Sequence, residues 1–254
     1  MNRFEHNGQA LTYATLGAGD TAFLWGPGWG QDHRTFLSLA ERFSSFGTHY
    51  LIDFPGFGAS PAPSSDWSVG DYAALVAAFI DTLPKKRVIW VGHSFGGRVG
   101  IKLAAIAPAK IQAMILISAA GLPRKRTVLQ QAKFFLRSRL FKLLKGFARN
   151  EAARDKLRER FGSTDYKNAG PLRGTFIKVI SENLSADARA VSCPTILIYG
   201  DKDTETPPDI GAAYQQMIRG SVLHILPGAD HYSVIAGAQH QTLLIMKEAF
   251  STWV

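Results

Sequence analysis

The sequence has little cysteine and no long apolar run, and each shortage excludes a class of protein. The single cysteine, Cys193, cannot form an internal disulfide or a multi-cysteine zinc site. No stretch approaches the length of a bilayer span, and residues 1–16 alternate polar and apolar residues, unlike a secretory signal peptide. We therefore expect a cytoplasmic protein whose hydrophobic core alone holds the fold together.

Motifs for common cofactors are also missing. No glycine run is followed by the lysine of a P-loop, and no H-E-x-x-H pair is present to bind zinc. Gly26-x-Gly28 follows a predicted strand and Asp53 lies downstream, but Gln31 stands where a dinucleotide fingerprint requires its third glycine. The sequence therefore predicts neither a metal nor a cofactor.

The positive charge of the chain is concentrated in its middle. The net charge is +9, yet residues 121–189 contain 17 of the 29 Lys and Arg and only 6 of the 20 Asp and Glu. Residues 127–149 predict one long amphipathic helix or two short ones, and residues 151–161 predict another helix. This basic face is either solvated, or attracts an anionic substrate, or rests weakly against an anionic membrane surface. We do not expect nucleic acid, because no aromatic stacking platform accompanies the charge.

Short apolar runs alternate with segments of helical periodicity over most of the chain. Alternating residues on both sides of Asn7-Gly8 predict an opening hairpin. Most later apolar runs lack polar alternation, which is typical of strands buried on both faces of a parallel sheet. We predict strands at residues 22–25, 49–54, 87–91, 111–118, 194–199 and 222–226, and helices at residues 36–46, 69–83, 99–107 and 241–253.

This pattern predicts an α/β fold in which helices flank a mostly parallel sheet. The alternation stops in the basic middle of the chain and resumes at Pro194. We therefore predict a core formed by residues 1–121 and 190–254, and a basic helical lid, residues 122–189, inserted late in the sheet.

The strongest chemical signal is Gly92-His93-Ser94-Phe95-Gly96, a G-x-S-x-G motif between a predicted strand and a predicted helix. A sharp strand-to-helix turn forces the serine into strained backbone angles and exposes its hydroxyl. Side chains at Gly92 or Gly96 would collide with neighbouring backbone. The sequence therefore predicts Ser94 as a nucleophile.

A serine nucleophile needs a histidine base and a carboxylate that orients it. Asp201 and Asp203 both follow the strand predicted at residues 194–199, and His231 follows the next strand, so all three belong to one edge of the sheet. Either aspartate could orient the histidine. His240 is the rival base, but it lies where the closing helix begins and is expected to face water.

We expect structural roles for two further residues that lie beside these candidates. His93 adjoins the nucleophile in a tight turn, where its side chain points away from the serine, so packing or a local hydrogen bond is expected of it. Asp230, next to the candidate base, is expected to stabilise its loop.

Taken together, these motifs resemble those of the α/β-hydrolase superfamily, in particular its lidded, esterase-like branch. The matching segments are Gly92 to Gly97, Gly200-x-x-Asp203-x-x-x-Pro207, Gly228-x-x-His231 and Asp53-Phe54-Pro55-Gly56-Phe57-Gly58-x-Ser60. The resemblance implies Ser94 as nucleophile, His231 as general base and acid, and Asp203 as the orienting carboxylate.

The resemblance also implies an oxyanion hole made by two backbone amides. Phe95, the residue after the nucleophile, supplies one of them. The second comes from the loop after an early strand, where the family usually has a histidine that this chain lacks. Aligning Pro27-Gly28-Trp29-Gly30 with the family pattern makes Trp29 the donor, whereas the other register would require an N–H from Pro27, which has none.

We therefore predict a cofactor-free serine hydrolase that cleaves a small or medium carboxylic ester or a related acyl compound. Carbon–carbon bond hydrolysis is compatible with the same frame, because a fold does not determine its reaction. A ligand-binding protein without turnover and a membrane-surface protein are the alternatives that are not enzymes.

Overall fold

The computed structural model describes residues 1–85, 87–123, 164–236 and 239–254, together with six helical positions between 135 and 146. Within these residues, eight strands form one sheet. The strands are β1 (Asn2–His6), β2 (Gln9–Leu16), β3 (Ala22–Gly26), β4 (Thr48–Asp53), β5 (Val88–His93), β6 (Ile111–Ile117), β7 (Thr195–Gly200) and β8 (Val222–Leu226). The helices are α1 (Arg34–Arg42), α2 (Val69–Thr82), α3 (Phe95–Ile106), α4 (Thr164–Asn168), α5 (Arg173–Ser181), α6 (Ser185–Ala190), α7 (Pro208–Met217) and α8 (Gln239–Trp253).

The strand order across the sheet is β1-β2-β4-β3-β5-β6-β7-β8. From β4 to β8 all neighbouring strands are parallel, whereas β1 and β2 pair antiparallel with each other and β2 pairs antiparallel with β4. The predicted hairpin is present, and Asn7 and Gly8 take the positive φ angles, 50° and 74°, that its tight turn requires. The predicted α/β class with a mostly parallel sheet is confirmed.

Helices cover both faces of the sheet, as the unbroken apolar runs predict. Every residue of β3 and of β5 is buried. On one face Trp90 and Tyr72 belong to the core beneath α2 and α3, and on the other Trp25 and Phe36 belong to the core beneath α1 and α8. A rigid central sheet therefore carries the loops at its carboxyl edge.

The indole of Trp90 fills the space beneath the turn after β5. Its Nε1–H donates to the carbonyl of Gly96 at 3.1 Å. A Cβ at Gly26 or at Gly92 would lie 2.5 Å from this ring, and a Cβ at Gly100 would also overlap it. Glycines around β5 are therefore required by close approach to one large side chain.

The predicted helix starts are correct for α2 but not for α3. The capping box at the start of α2 is present, because Ser68 Oγ accepts from Asp71 N at 3.3 Å and Asp71 Oδ2 accepts from Ser68 N at 2.7 Å. By contrast, α3 begins at Phe95, four residues before the predicted start. Its first turn contains Gly96 and Gly97, which give no hydrophobic signal.

Residues 164–189, the longest described stretch of the predicted lid, lie between β6 and β7 in the chain and contain α4, α5 and most of α6. They are tied to the start of α2: Trp67 N donates to Thr175 Oγ1 at 3.1 Å, and Val69 N donates to Glu182 Oε1 at 2.6 Å. Apart from the six helical positions, the helices predicted at 127–149 and 151–161 lie outside the described residues. Among the helices that are described, none combines the length and apolar character needed to traverse a bilayer.

Candidate active site

The turn between β5 and α3 holds Ser94 in a strained conformation. Its φ angle is 49°, in the left-handed region that residues other than glycine rarely occupy. Ser94 N donates to the carbonyl of Ile117 at 3.0 Å, which fixes the turn against β6. A Cβ at Gly92 would lie 2.5 Å from the Gly96 carbonyl oxygen, and one at Gly96 would overlap the Gly26 carbonyl. The glycines of the motif are therefore needed for the turn to form.

His231 and Asp203 form a buried pair at the same edge of the sheet. His231 Nδ1 lies 2.8 Å from Asp203 Oδ2, and the two side chains are 6% and 0% exposed. Although burial opposes ionisation, hydrogen bonds from His231 and from Thr206 lower the pKa of Asp203 to about 2. The carboxylate is therefore ionised at neutral pH and can orient the imidazole.

Thr206 contacts both residues of this pair, and the sequence did not predict it. Its Oγ1 lies 2.8 Å from Asp203 Oδ2, 3.1 Å from His231 Nδ1 and 3.1 Å from the carbonyl oxygen of Ser118. Its backbone N–H donates to the other oxygen, Asp203 Oδ1, at 2.8 Å. A hydroxyl three residues after the aspartate was the available sequence signal, because Ser and Thr side chains often bond to nearby aspartates in turns.

The rival candidates occupy other positions. Asp201 Oδ1 accepts a hydrogen bond from Gly228 N at 2.7 Å and so closes the loop before His231. Asp230 accepts from the backbone N–H of Tyr232 and of Ser233, as expected of a residue that stabilises its loop. His240 is exposed in the first turn of α8.

His93 connects the serine turn to the loop of His231. Its Nε2 lies 2.9 Å from the His231 carbonyl oxygen, and the two imidazole rings are 4.9 Å apart. Burial and the neighbouring His231 lower the pKa of His93 to about 3, so its ring is neutral at working pH and Nε2 carries the donated proton. The residue preceding Ser94 in the chain is therefore bonded to His231.

Trp29 and Phe95, the residues predicted to form the oxyanion hole, lie side by side. Their rings meet edge to face with centroids 5.4 Å apart. The Trp29 ring also contacts Phe57 at 4.8 Å and, from α5, Phe176 at 5.0 Å. Gly28 N donates to Gln31 Oε1 at 2.8 Å, which fixes the loop that carries Trp29. The site consequently has an aromatic wall to which α5 contributes.

Asp53 connects the loop that carries Trp29 to the loop that follows β4. Asp53 Oδ1 accepts from His33 N at 2.7 Å and lies 2.9 Å from His33 Nδ1, while Oδ2 accepts from Ala59 N at 2.9 Å. Asp32, His33 and Asp53 have ligand atoms within 4.8 Å of one another. Both Asp53 oxygens already accept hydrogen bonds from the protein, and Asp32 pairs with Arg34. We interpret the cluster as structural.

Comparison with known proteins agrees with this architecture. Residues 17–241 match the model of the alpha/beta hydrolase family, so the chain belongs to that family. An esterase from Thermogutta terrifontis, solved with malate, superposes with a TM-score of 0.74 at 19% identity, covering 100% of both chains. The enol-lactonase of Burkholderia xenovorans LB400 superposes with a TM-score of 0.75 at 22% identity, covering 99% of this chain and 100% of the other.

Relatives with curated functions indicate which class of hydrolase the chain is similar to. The chain is 25% identical over 261 residues to the pimeloyl-[acyl-carrier protein] methyl ester esterase of Proteus mirabilis, covering 95% of this chain and 98% of the relative. It is 29% identical over 258 residues to the esterase of the same name from Chromobacterium violaceum, covering 90% and 94%. The predicted enzyme class, a carboxylic ester hydrolase, is confirmed.

Proposed function

We propose that this hydrolase cleaves its ester by nucleophilic catalysis, with Ser94 as nucleophile, His231 as general base and acid, and Asp203 as orienting carboxylate. The observation that carries the proposal is the buried 2.8 Å contact of His231 Nδ1 with Asp203 Oδ2, held to the strained serine turn through His93. Because Nδ1–H is donated to Asp203, Nε2 keeps its lone pair and can accept the proton of Ser94.

The reaction runs in two halves. Ser94 Oγ attacks the ester carbonyl carbon as its proton moves to His231 Nε2, and the imidazolium then protonates the alcohol oxygen as the ester bond breaks. Water next gives a proton to His231 and attacks the acyl-enzyme, which releases the carboxylic acid and restores Ser94.

We assign the oxyanion hole to the backbone amides of Trp29 and Phe95. The Phe95 amide belongs to the first turn of α3, where an N–H has no acceptor within the helix and where the helix dipole favours negative charge. Donors fixed in advance at this point stabilise the tetrahedral intermediate more than the ground state.

The substrate that we propose is a methyl ester of an acyl chain borne by a carrier protein. The relatives support the methyl ester and the carrier. The wall formed by Trp29, Phe57 and Phe176 suits an apolar acyl chain, with residues 122–189 as the lid over it. The excess of Lys and Arg in residues 121–189 suits a carrier whose surface is acidic. Weak association with an anionic membrane surface is the second use of this charge, and sedimentation with anionic vesicles tests it.

The test compares the wild type with Ser94→Ala on methyl esters of increasing acyl length, free and attached to a carrier protein. We expect Ser94→Ala to lose at least about a thousandfold in kcat and to escape labelling by a fluorophosphonate. The kcat/KM for the carrier-bound ester should exceed that for the free ester and fall with salt. Undiminished turnover by Ser94→Ala would refute the nucleophile. Turnover of a vinylogous diketone but not of esters would favour carbon–carbon bond hydrolysis.

A further inference from the structure

A cavity of about 370 Å³ lies between α8 and the end of α1, in a part of the molecule that the proposed mechanism does not use. Its α8 wall is formed by residues three or four positions apart, which share one face of that helix: His240, Leu243, Leu244 and Lys247. His240, which the sequence offers as a rival base, therefore belongs to this cavity. None of the described residues that line the cavity belongs to the candidate active site.

The floor of this cavity is apolar and is held in place by the core. The centroid of the buried Phe43 ring lies 5.8 Å from that of Phe46 and 4.9 Å from that of Phe250. Phe46 N donates to the Phe43 carbonyl at 2.9 Å, and the same carbonyl accepts from His49 Nε2 at 2.8 Å. Phe43 and Phe46 both line the cavity. Because these contacts are made without a ligand, an apolar chain can bind here without first ordering the floor.

The charged side chains that line the cavity are all basic. Arg42 and Lys247 are exposed, and the exposed imidazole of His240, a hydrogen-bond donor in either protonation state, lies on the same helix face as Lys247. Within the described ranges, neither Arg42 nor Lys247 forms a salt bridge. The acids next to them in the chain, Glu41 and Glu248, are exposed and do not line the cavity. The opening of the cavity is therefore positively charged.

An apolar floor below a positively charged opening defines a class of ligand. Such a site suits a molecule that has an apolar chain and one anionic end, because the guanidinium of Arg42 pairs with a carboxylate through two parallel hydrogen bonds. The volume lies near the lower end of the range of about 300–1,000 Å³ that small-molecule sites occupy, which favours a chain of medium length. A carboxylic ester hydrolase releases carboxylates, so its own reaction class supplies such a ligand.

We propose that this cavity is a second binding site, which takes a medium-chain aliphatic monocarboxylate. The carboxylate pairs with Arg42 and Lys247 and accepts a hydrogen bond from His240. The chain packs on Phe46 and on the leucines of α8. The proposal is made from this cavity alone and does not depend on the roles proposed for the catalytic residues.

Four probes separate the contribution of the charge from that of the chain: octanoate, octanamide, octylammonium and acetate. Isothermal titration calorimetry of the full chain at about 10 mM ionic strength, where screening is weak, measures each Kd. At about 4 Å, even the dielectric constant of water gives about a fivefold change in affinity for each cation. We therefore expect octanoate to bind at least about tenfold more tightly than octanamide, and octylammonium to bind more weakly than either. Acetate should bind at least about tenfold more weakly than octanoate, because it has no chain to transfer from water.

Variants locate the binding. Arg42→Gln and Lys247→Gln should each weaken octanoate binding about threefold to fivefold, and together at least about tenfold, while the Kd of octanamide stays within about twofold. Arg3→Gln combined with Arg219→Gln removes the same net charge from exposed positions outside the cavity. This matched control should keep the Kd of octanoate within about twofold of the wild type.

The active site is another place where octanoate can bind, and competitive inhibition of ester turnover reports that binding. The inhibition constant should be the same in the wild type and in the Arg42→Gln/Lys247→Gln variant, because neither residue lines the active site. An unchanged calorimetric Kd in that variant would overturn the proposal, since octanoate would then bind only at the active site.

Three further results would also overturn the proposal: no octanoate binding by the wild type, octanamide binding as tight as that of octanoate, or an equal loss of octanoate binding in the matched control. In the last case the effect would be one of net charge. The turnover of Ser94→Ala bears only on the catalytic proposal, so the two proposals can fail separately.

Discussion

The hydroxyl of Thr206 has no part in the proposed chemistry, yet it touches both members of the proposed catalytic pair, His231 and Asp203. It lies within 3.1 Å of Asp203 Oδ2, of His231 Nδ1 and of the Ser118 carbonyl oxygen. Such a group restricts the rotamers of the carboxylate and the imidazole, and small errors of position at a reacting centre are costly. We regard Thr206 as a positioning residue.

Replacing Thr206 with Val removes this hydroxyl and keeps the shape of the side chain. We expect kcat for a neutral ester to fall about tenfold, with KM within about twofold, because the loss affects the transition state more than substrate binding. Steady-state kinetics measure both constants. Thr206→Ser should restore most of the rate, and an equally slow Thr206→Ser variant would contradict the assigned role.

The two aspartates of the loop after β7 should separate cleanly by mutation. Asp203→Asn should lower kcat about a thousandfold or more, because the amide cannot stabilise the imidazolium or hold the same tautomer. Asp201→Asn should leave kcat within about twofold and cost about 1 kcal/mol of stability, because Gly228 N loses a charged acceptor. Ester turnover and urea unfolding measure the two effects. The opposite ranking of turnover would transfer the orienting role to Asp201.

At the residue scale, the sequence predicted the residues whose spacing is local. Ser94 was predicted because its motif spans five consecutive positions, and Asp203 and His231 because each follows a strand end and matches the pattern of the family that the sequence resembles. The contact of Thr206 with His231 Nδ1 was not predicted, because it depends on how two separate loops fold over the sheet edge. No periodicity encodes such a contact.

Among the elements, α3 and α5 are joined by a partly buried cation, Arg98. Arg98 Nη1 donates to the carbonyl oxygens of Val179, at 2.7 Å, and of Glu182, at 3.2 Å, so it caps the end of α5. Burial lowers the pKa of Arg98, and the nearby Tyr214 and Glu182 oppose that effect. The end of α5 is thus anchored to the helix that begins at the serine turn.

Arg98→Met should reduce the free energy of unfolding by about 2–3 kcal/mol, because two carbonyls lose a charged donor. Lys102→Met is the control. It removes a partly exposed ion pair with Asp187 on α6, 2.8 Å long, and should cost about 1 kcal/mol or less. Urea denaturation gives both values, and limited proteolysis should cut residues 164–190 faster in Arg98→Met. Equal destabilisation by the two variants would contradict the capping role.

The sequence predicted whether a segment is a helix or a strand better than it predicted where that segment begins and ends. Strand β8 matches its predicted range, and α2 starts at its predicted first residue, where Ser68 and Asp71 form a local capping box. The early start of α3 was missed, since Gly96 and Gly97 are present for close packing and carry no apolar signal. Hydrophobic periodicity reports buried side chains and cannot report turns whose residues have none.

For the molecule as a whole, two buried neutral histidines govern acid stability. His49 Nδ1 accepts from Trp25 Nε1 at 3.0 Å, and its Nε2 donates to the Phe43 carbonyl at 2.8 Å. Burial lowers the pKa of His49 to about 4, and burial with the neighbouring His231 lowers that of His93 to about 3. Because the unfolded chain binds these protons near pH 6.5, the stabilisation is complete above that pH and is lost as the pH falls.

Stability should therefore drop by about 3–4 kcal/mol between pH 6.5 and pH 5, since each histidine contributes about 1.4 kcal/mol per pH unit until its folded pKa is reached. The ionised Asp203 acts in a lower window, losing its contribution as the pH falls from about 4 toward 2. Urea unfolding at several pH values measures the slope. His49→Gln should roughly halve it, and an unchanged slope would show that other groups take up the protons.

The sequence predicted a mostly parallel sheet, but it did not predict the order of the strands. Alternating apolar runs and helical segments predict parallel strands, but they do not say that β3 lies between β4 and β5 or that β2 joins the sheet antiparallel. The strand order and direction depend on which strands and helices pack together when the chain folds.

The indole of Trp90 couples the evolution of the glycines that pack against it. As long as a lineage retains this tryptophan, purifying selection must hold positions 26, 92 and 100 at glycine, even where catalysis makes no demand on them. Positions 26 and 100 can change only after a smaller residue appears at position 90, whereas the Gly96 carbonyl oxygen keeps position 92 at glycine in either case. The scaffold of the Ser94 turn is thus expected to evolve in concerted jumps.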